Sequence, residues 1–227
     1  MTVPSQLPLS FDHRPALSGE DFLVAPSNAD AVAWIDSWPD WPHPALVVFG
    51  PPGCGKTHLA QAFIALSGAR QVTAEQLGEG EPTRLAGDAP ALVLEDAETF
   101  LGQQQALLHL CNVVEETGRR MLLTAAAPPA RWKVTLADLS SRLNAAPAAA
   151  IGRPDDALIA AVLVKLFADR QLKVDAGVVG FMVARMERSF AAARRLVAAV
   201  DAAALAERRN ITVPLVRLVM QGEGREG

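Results

Sequence analysis

The eight residues Gly50-Pro51-Pro52-Gly53-Cys54-Gly55-Lys56-Thr57 have the types and spacing to hold phosphate. They fit G-x-x-x-x-G-K-[ST], placed after a run that reads as a strand and before one that reads as a helix. Glycines let backbone N–H groups turn inward around phosphate oxygens, and the helix that follows presents its positive end. Lys56 adds a full charge, and Thr57 offers a hydroxyl to Mg²⁺. A turn that is merely glycine-rich would not need both flanks to be right. Gly50, Pro52, Gly53, Cys54, Gly55, Lys56, Thr57 and His58 are therefore the candidate contacts for ADP or ATP.

A nucleotide with Mg²⁺ calls for an acid at the end of a neighbouring strand. "LVLED" supplies Glu95 and Asp96 where a sheet would open. Glu95 is the candidate metal residue together with Thr57, acting through water, and Asp96 the candidate for polarising an attacking water. The plainer reading is that two acids simply end a buried strand.

Stepwise along the chain, "ALVVFG" from Ala45, "ALVLED" from Ala91 and "RMLLTA" from Arg120 are short continuous apolar runs of the kind that form strands buried on both faces. Helical patterns cover Ser27 to Trp38, with Ser27 or Asn28 as cap, and Gln103 to Glu116. Strands alternating with helices predict an α/β fold with a parallel sheet between helical layers. After Gly152-Arg153-Pro154 the pattern becomes all-helical over Asp155 to Asp169, Asp175 to Met186, Ser189 to Arg208 and Thr212 to Met220. Asp155 and Thr212 are the expected caps. The expected organisation is an extended tail over 1–14, a nucleotide-binding base over 15–152 and a helical lid over 153–227.

The chain has 227 residues, half of them hydrophobic, and a net charge of -4. That charge argues against a dominant nucleic-acid surface, so little direct DNA binding is expected. Of two cysteines one lies inside the glycine loop, which points to a reducing, cytoplasmic setting. No signal peptide or membrane-spanning run is found.

A P-loop sheet followed by a helical lid resembles the AAA+ ATPases. "FLVAPSNADAV", "GKTHLAQAF", "LLTAAAPPARW" and "LADLSSRLN" occur in the order of the signatures of the DnaA replication-initiator branch, so the resemblance runs from about Phe11 to the end. In the last stretch Arg142 matches that family's arginine finger, which enters the nucleotide site of a neighbouring subunit; a homo-oligomer is a further implication. The alternative for Arg142 is a solvated helix-end arginine. By the same resemblance, adenine is recognised by backbone near Val24 and Asn28.

Departures from the pattern carry expectations too. Where the family has an acid or amide in its first sensor, this chain has Ala125, Ala126 and Ala127, which cannot hydrogen-bond a γ-phosphate. Glu95 stands where aspartate is usual. The second-sensor arginine aligns with Ala191, with Arg194 and Arg195 about one turn on. Slow hydrolysis by the chain itself is expected, with nucleotide holding base and lid together. DnaA continues into a helix-turn-helix DNA-binding domain, whereas here only "QGEGREG" follows the last helix. That is the pattern of Hda-type regulators, which switch DnaA off.

Hda-type proteins also carry an N-terminal peptide for the polymerase sliding clamp, of the form Q-L-x-L-[FL]. Gln6-Leu7-Pro8-Leu9-Ser10-Phe11 resembles it, with one extra residue before the aromatic. Pro8 keeps the segment extended, Leu9 and Phe11 can fill apolar pockets, and Gln6 can pair with buried polar groups, so little chain entropy is lost on binding. Gln6, Leu7, Leu9 and Phe11 are the candidate contacts for the clamp's β subunit. The alternative is that these apolar side chains pack on their own domain. The resemblance thus implies a clamp-recruited activator of ATP hydrolysis by DnaA. A helicase-loader-like ATPase and a clamp-bound adaptor are the competing readings.

Overall fold

The computed structural model describes residues 23–207 and 209–223; the tail motif from Gln6 to Phe11 lies outside them. The chain divides into two compact units, one ending at Gly152 and the other beginning at Arg153.

The first unit is built on a five-stranded sheet. Its strands are β1 (Ala45–Phe49), β2 (Arg70–Gln71), β3 (Ala91–Leu94), β4 (Arg120–Ala125) and β5 (Ala148–Ala150), in the order β2-β3-β4-β1-β5 and parallel throughout. The continuous apolar runs follow from burial on both faces. In β1, Val47 points into one core and Leu46 and Val48 into the other. In β3, Leu92 and Leu94 oppose Ala91 and Val93 in the same manner.

Helices cover both faces. α1 (Ala29–Asp36) and α2 (Lys56–Ser67) pack Ile35, Leu59 and Phe63 on one side, with Trp41 stacked on Phe63 at 5.4 Å between centroids. α3 (Ala74–Glu79), α4 (Pro82–Ala86), α5 (Gln104–Glu116) and α6 (Ala137–Ala145) cover the other, burying Leu77, Leu107, Leu110 and Leu143.

The chain leaves β1 for the β2 edge, returns through β3 and β4 to the flank of β1, and crosses to β5 on its other side. β1 is thus the point where strand order reverses, and ligand crevices in open α/β sheets form there, beyond the carboxyl ends of the strands.

The second unit is helical: α7 (Asp156–Asp169), α8 (Ala176–Val183), α9 (Phe190–Glu207) and α10 (Val213–Glu223). Ile159, Leu163, Phe167, Met182, Leu196, Val200 and Val216 form its core. Asp155 caps α7 as expected, its Oδ1 accepting from the Leu158 N–H at 2.8 Å. Asn28, the expected cap of α1, behaves differently. It stands at the N-cap position, but its side chain turns back to the preceding turn and makes no cap hydrogen bond. Among the described residues no helix is long and apolar enough to cross a membrane.

Candidate functional site

The glycine loop leaves the carboxyl end of β1, and its shape is set by contacts that exclude side chains. A Cβ at Gly50 would lie 2.2 Å from the Ile151 carbonyl oxygen and 2.9 Å from Cys54 Sγ, so only glycine fits. Gly53 and Gly55 have φ of 74° and 107°, in the region where L side chains are strained. The Gly50 N–H donates to the Ala125 carbonyl at 3.1 Å, which ties the loop to the end of β4.

Gly55 is the N-cap of α2, and no side chain caps that helix. The leading N–H groups of an uncapped helix are available to an anion, and the helix dipole favours one. Lys56 Nζ donates to the carbonyls of Gly50 and Pro51 at 2.8 and 3.3 Å, so its ammonium lies against the loop. Thr57 is exposed and His58 half-buried on the first turn of α2. Cys54 is buried beneath the loop, and burial pushes its thiol up against the opposing pull of Lys56. A close-fitting glycine cradle, uncapped amides and an adjacent ammonium form a donor set that fits a nucleotide phosphate.

Asp96 follows β3 at φ 50° and ψ 60°, a left-handed conformation for a non-glycine residue. Its N–H donates to Thr124 Oγ1 at 3.1 Å. Thr124 lies on β4, the neighbour of β3, and is 1% exposed, so this bond ties the end of β3 to β4 and holds Asp96 at the open end of the sheet. Glu95 Oε1 accepts from Gln71 Nε2 at 3.1 Å and from Gln61 Nε2 at 3.4 Å. Two amides, from β2 and α2, therefore hold the carboxylate that the sequence marks for metal.

Sequence reading missed Thr124 and Glu98. Glu98 Oε1 accepts from the Ala126 and Ala127 N–H groups at 2.7 and 3.2 Å. The segment of Ala125, Ala126 and Ala127 is thus held by its backbone, and it brings no polar side chain to the loop. A signal for Thr124 was present: it is a polar residue inside a buried apolar run, and buried hydroxyls find partners.

Asn28 is 2% exposed, with Oδ1 accepting from the Ala25 N–H at 2.8 Å and Nδ2 donating to the Leu23 carbonyl at 3.0 Å. Its side chain shapes the Leu23–Asn28 turn, which the Gly152 N–H joins through the Ser27 carbonyl at 2.8 Å. Val24, half-buried, packs against the α1 and α2 side of the core.

Arg142 lies elsewhere. It is in the last turn of α6, where Nη1 donates to Glu115 Oε2 on α5. With His43, Pro44, Ala45, Cys111 and Met121 it lines a small cavity. Ala45 opens β1 and Met121 lies near the start of β4, so Arg142 is at the amino edge of the sheet. The glycine loop is at the carboxyl edge, and the five residues of β1 between them span on the order of 15 Å. Burial pushes the Cys111 thiol in that cavity up to about 11. In the second unit, Ala191, Arg194 and Arg195 share the exposed face of α9.

Residues 156–220 match the family model described as the lid domain of Hda. The chain is 25% identical over 198 residues to an uncharacterized protein of Haemophilus influenzae, covering 80% of this chain and 83% of that one. It is 29% identical over 216 residues to the chromosomal replication initiator DnaA of Sphingopyxis alaskensis, covering 82% of this chain and 47% of the initiator. The chain thus spans about half the length of that DnaA. Among solved structures, domain III of DnaA from Thermotoga maritima superimposes with a TM-score of 0.78 over 92% of this chain and 97% of that domain, at 17% identity. DnaA from Aquifex aeolicus bound to AMPPCP gives 0.67 over 84% of this chain and 66% of its own, at 18% identity.

Proposed function

We propose that this Hda/DnaA-like AAA+ protein, a DnaA-related regulator of replication, acts by raising the rate at which DnaA hydrolyses its own bound ATP. The observation that carries this reading is the position of Arg142. It lies at the edge of the sheet remote from its own glycine loop and part-exposed, so a phosphate it reaches belongs to another molecule. A guanidinium brought to the γ-phosphate there stabilises charge as the phosphoryl group transfers, worth about 10³–10⁵ in rate where such fingers act.

Nucleotide on this chain is a bound ligand in this reading. Gly53, Gly55, Lys56 and Thr57 would hold its phosphates, and the likeness to an AMPPCP-bound DnaA supports the assignment. Mg²⁺ would be held by Thr57 with Glu95 near it, supplying charge neutralisation between phosphates. The backbone-tethered alanine segment supports slow turnover by the chain itself, because it gives no side-chain donor to a γ-phosphate or its water.

Recruitment is assigned to Gln6, Leu7, Leu9 and Phe11 binding the β sliding clamp on DNA. A weak contact between two AAA+ bodies gains effective concentration when both are held on one clamp and its DNA.

The test is hydrolysis of ATP preloaded on purified DnaA, followed with this protein, clamp and nicked DNA added in turn. The reading requires stimulation that depends on the clamp and is lost in Arg142→Ala. Equal stimulation by Arg142→Ala would sink it.

A further inference from the structure

Two helices of the second unit bring like charges onto one aromatic ring. The guanidinium carbon of Arg185, just past α8, lies 4.0 Å from the Phe181 ring centroid, and that of Arg217 on α10 lies 5.5 Å from it. The ring's electron-rich face attracts each cation, while the two repel each other. Neither arginine has a carboxylate within ion-pair distance among the described residues, whereas Arg170 pairs with Asp201 and Arg188 with Asp156 in the same unit.

The surroundings are concave, with apolar side chains set among charged ones. A cleft of about 360 Å³ is lined by Phe181, Arg185, Arg217, Met220 and Gln221. A second, of about 210 Å³, shares Arg185 and Met220 and extends past Leu196 to Arg195, with Glu187 as the carboxylate on its wall. Three guanidiniums therefore face one carboxylate over a floor of aromatic, methionine and leucine side chains. The chain carries a net charge of -4, so this patch is a local exception.

We propose that the Phe181–Arg185–Arg217 face docks an acidic segment of a protein partner, with an apolar side chain seated between its carboxylates. Arginine, aromatic residues and methionine are the types enriched at the centres of protein interfaces. The unpaired guanidiniums supply bidentate donors for the carboxylates, and Met220 adapts to the apolar side chain between them. Single-stranded nucleic acid fits less well. Its bases need an open aromatic platform, and here the Phe181 ring already carries two guanidiniums. This face belongs to a different unit from Arg142 and from the glycine loop, so the proposal stands independently of the hydrolysis reading.

The experiment uses the full chain labelled at methionine methyls and arginine Nε. It is titrated with a synthetic peptide of glutamate and aspartate flanking a central leucine-phenylalanine pair. The expected result is saturable shifts of Met220 and of the Arg185 and Arg217 Nε–H signals. Binding is to weaken with salt, and to weaken by at least about tenfold in the Arg185→Gln/Arg217→Gln double variant or when the peptide acids become amides. An unchanged unfolding temperature of the variant shows that the fold survives, and Phe181→Leu, which keeps apolar bulk, provides a second weakened variant. Four results would overturn the proposal: no saturable shift, equal binding of the amide peptide, tighter binding of an oligothymidylate, or shifts explained by self-association of the chain.

Discussion

Arg142 on α6 and Glu115 on α5 form an ion pair at the amino edge of the sheet, over the cavity beside Cys111. Their side chains are 39% and 53% exposed, so the pair contributes little to stability, and its consequence is orientation. Glu115 engages Nη1, which leaves the remaining N–H donors of the guanidinium for another acceptor. Glu115→Gln frees side-chain rotamers that must be fixed again when Arg142 meets a phosphate, at a cost of about 1 kcal/mol. If Arg142 acts on DnaA's nucleotide as proposed, Glu115→Gln is expected to stimulate DnaA-bound ATP hydrolysis about three- to tenfold less, with DnaA binding unchanged. Single-turnover rates at saturating protein measure this, and a rate equal to the unaltered chain's would remove Glu115 from the argument.

Gly50 cannot carry a side chain, because its Cβ would sit 2.2 Å from a backbone oxygen that has no rotamer to escape into. Gly50→Ala must move either the glycine loop or the turn at Ile151. Overpacking of this kind costs about 1–3 kcal/mol, and here the displaced segment is the proposed phosphate cradle. The expected outcome is a lower urea midpoint and, if the loop binds nucleotide as proposed, loss of the thermal shift that ADP gives the unaltered chain. A variant that keeps the ADP shift would show that the loop tolerates the movement.

How much of this was legible beforehand depended on whether a feature was local in sequence. β1, β3 and β4 were readable because each is a continuous apolar run, and the glycine loop because its eight residues are consecutive. β2 was not, since Arg70 and Gln71 are exposed and their pairing with Leu92 and Val93 alone makes them a strand. β5 is three alanines, a residue disfavoured in strands, and its conformation is imposed by pairing with Val47 to Phe49. The bonds that shape the open end of the sheet are distant in sequence as well. Thr124 and Asp96 are separated by 28 positions, and Gln61 and Glu95 by 34. No periodicity reports contacts of that separation; the chain topology creates them.

Thr124 Oγ1 accepts the Asp96 N–H, and Asp96 is held in a left-handed conformation. Thr124→Val keeps the volume and removes the acceptor, leaving a part-buried N–H without its bond. The expected loss is about 1–3 kcal/mol of stability, read from urea unfolding. Thr124→Ser restores the hydroxyl and is expected to recover most of it. Should valine and serine behave alike, the bond is not what holds Asp96.

The last expectation concerns pH. Arg188 donates to both carboxylate oxygens of Asp156, at 2.6 and 3.1 Å, and this bonding holds the Asp156 carboxyl below its ordinary value. A group whose folded value is depressed stabilises the fold above its unfolded value, and that contribution is lost as pH falls through the folded one. Asp156 stands in the first turn of α7, so protonation also removes a negative charge that favours the helix N-terminus. Both residues are exposed, which makes the contribution small and salt-sensitive. Arg188→Gln is therefore expected to melt slightly lower than the unaltered chain at neutral pH. The difference should shrink only as pH falls below the ordinary aspartate value of 3.8 and through the depressed folded value, where the partnered carboxylate is itself protonated. Melting curves at low salt carried down through that transition decide it: a difference that persists once Asp156 is protonated in the unaltered chain would mean that Arg188 acts through packing and not through the Asp156 charge.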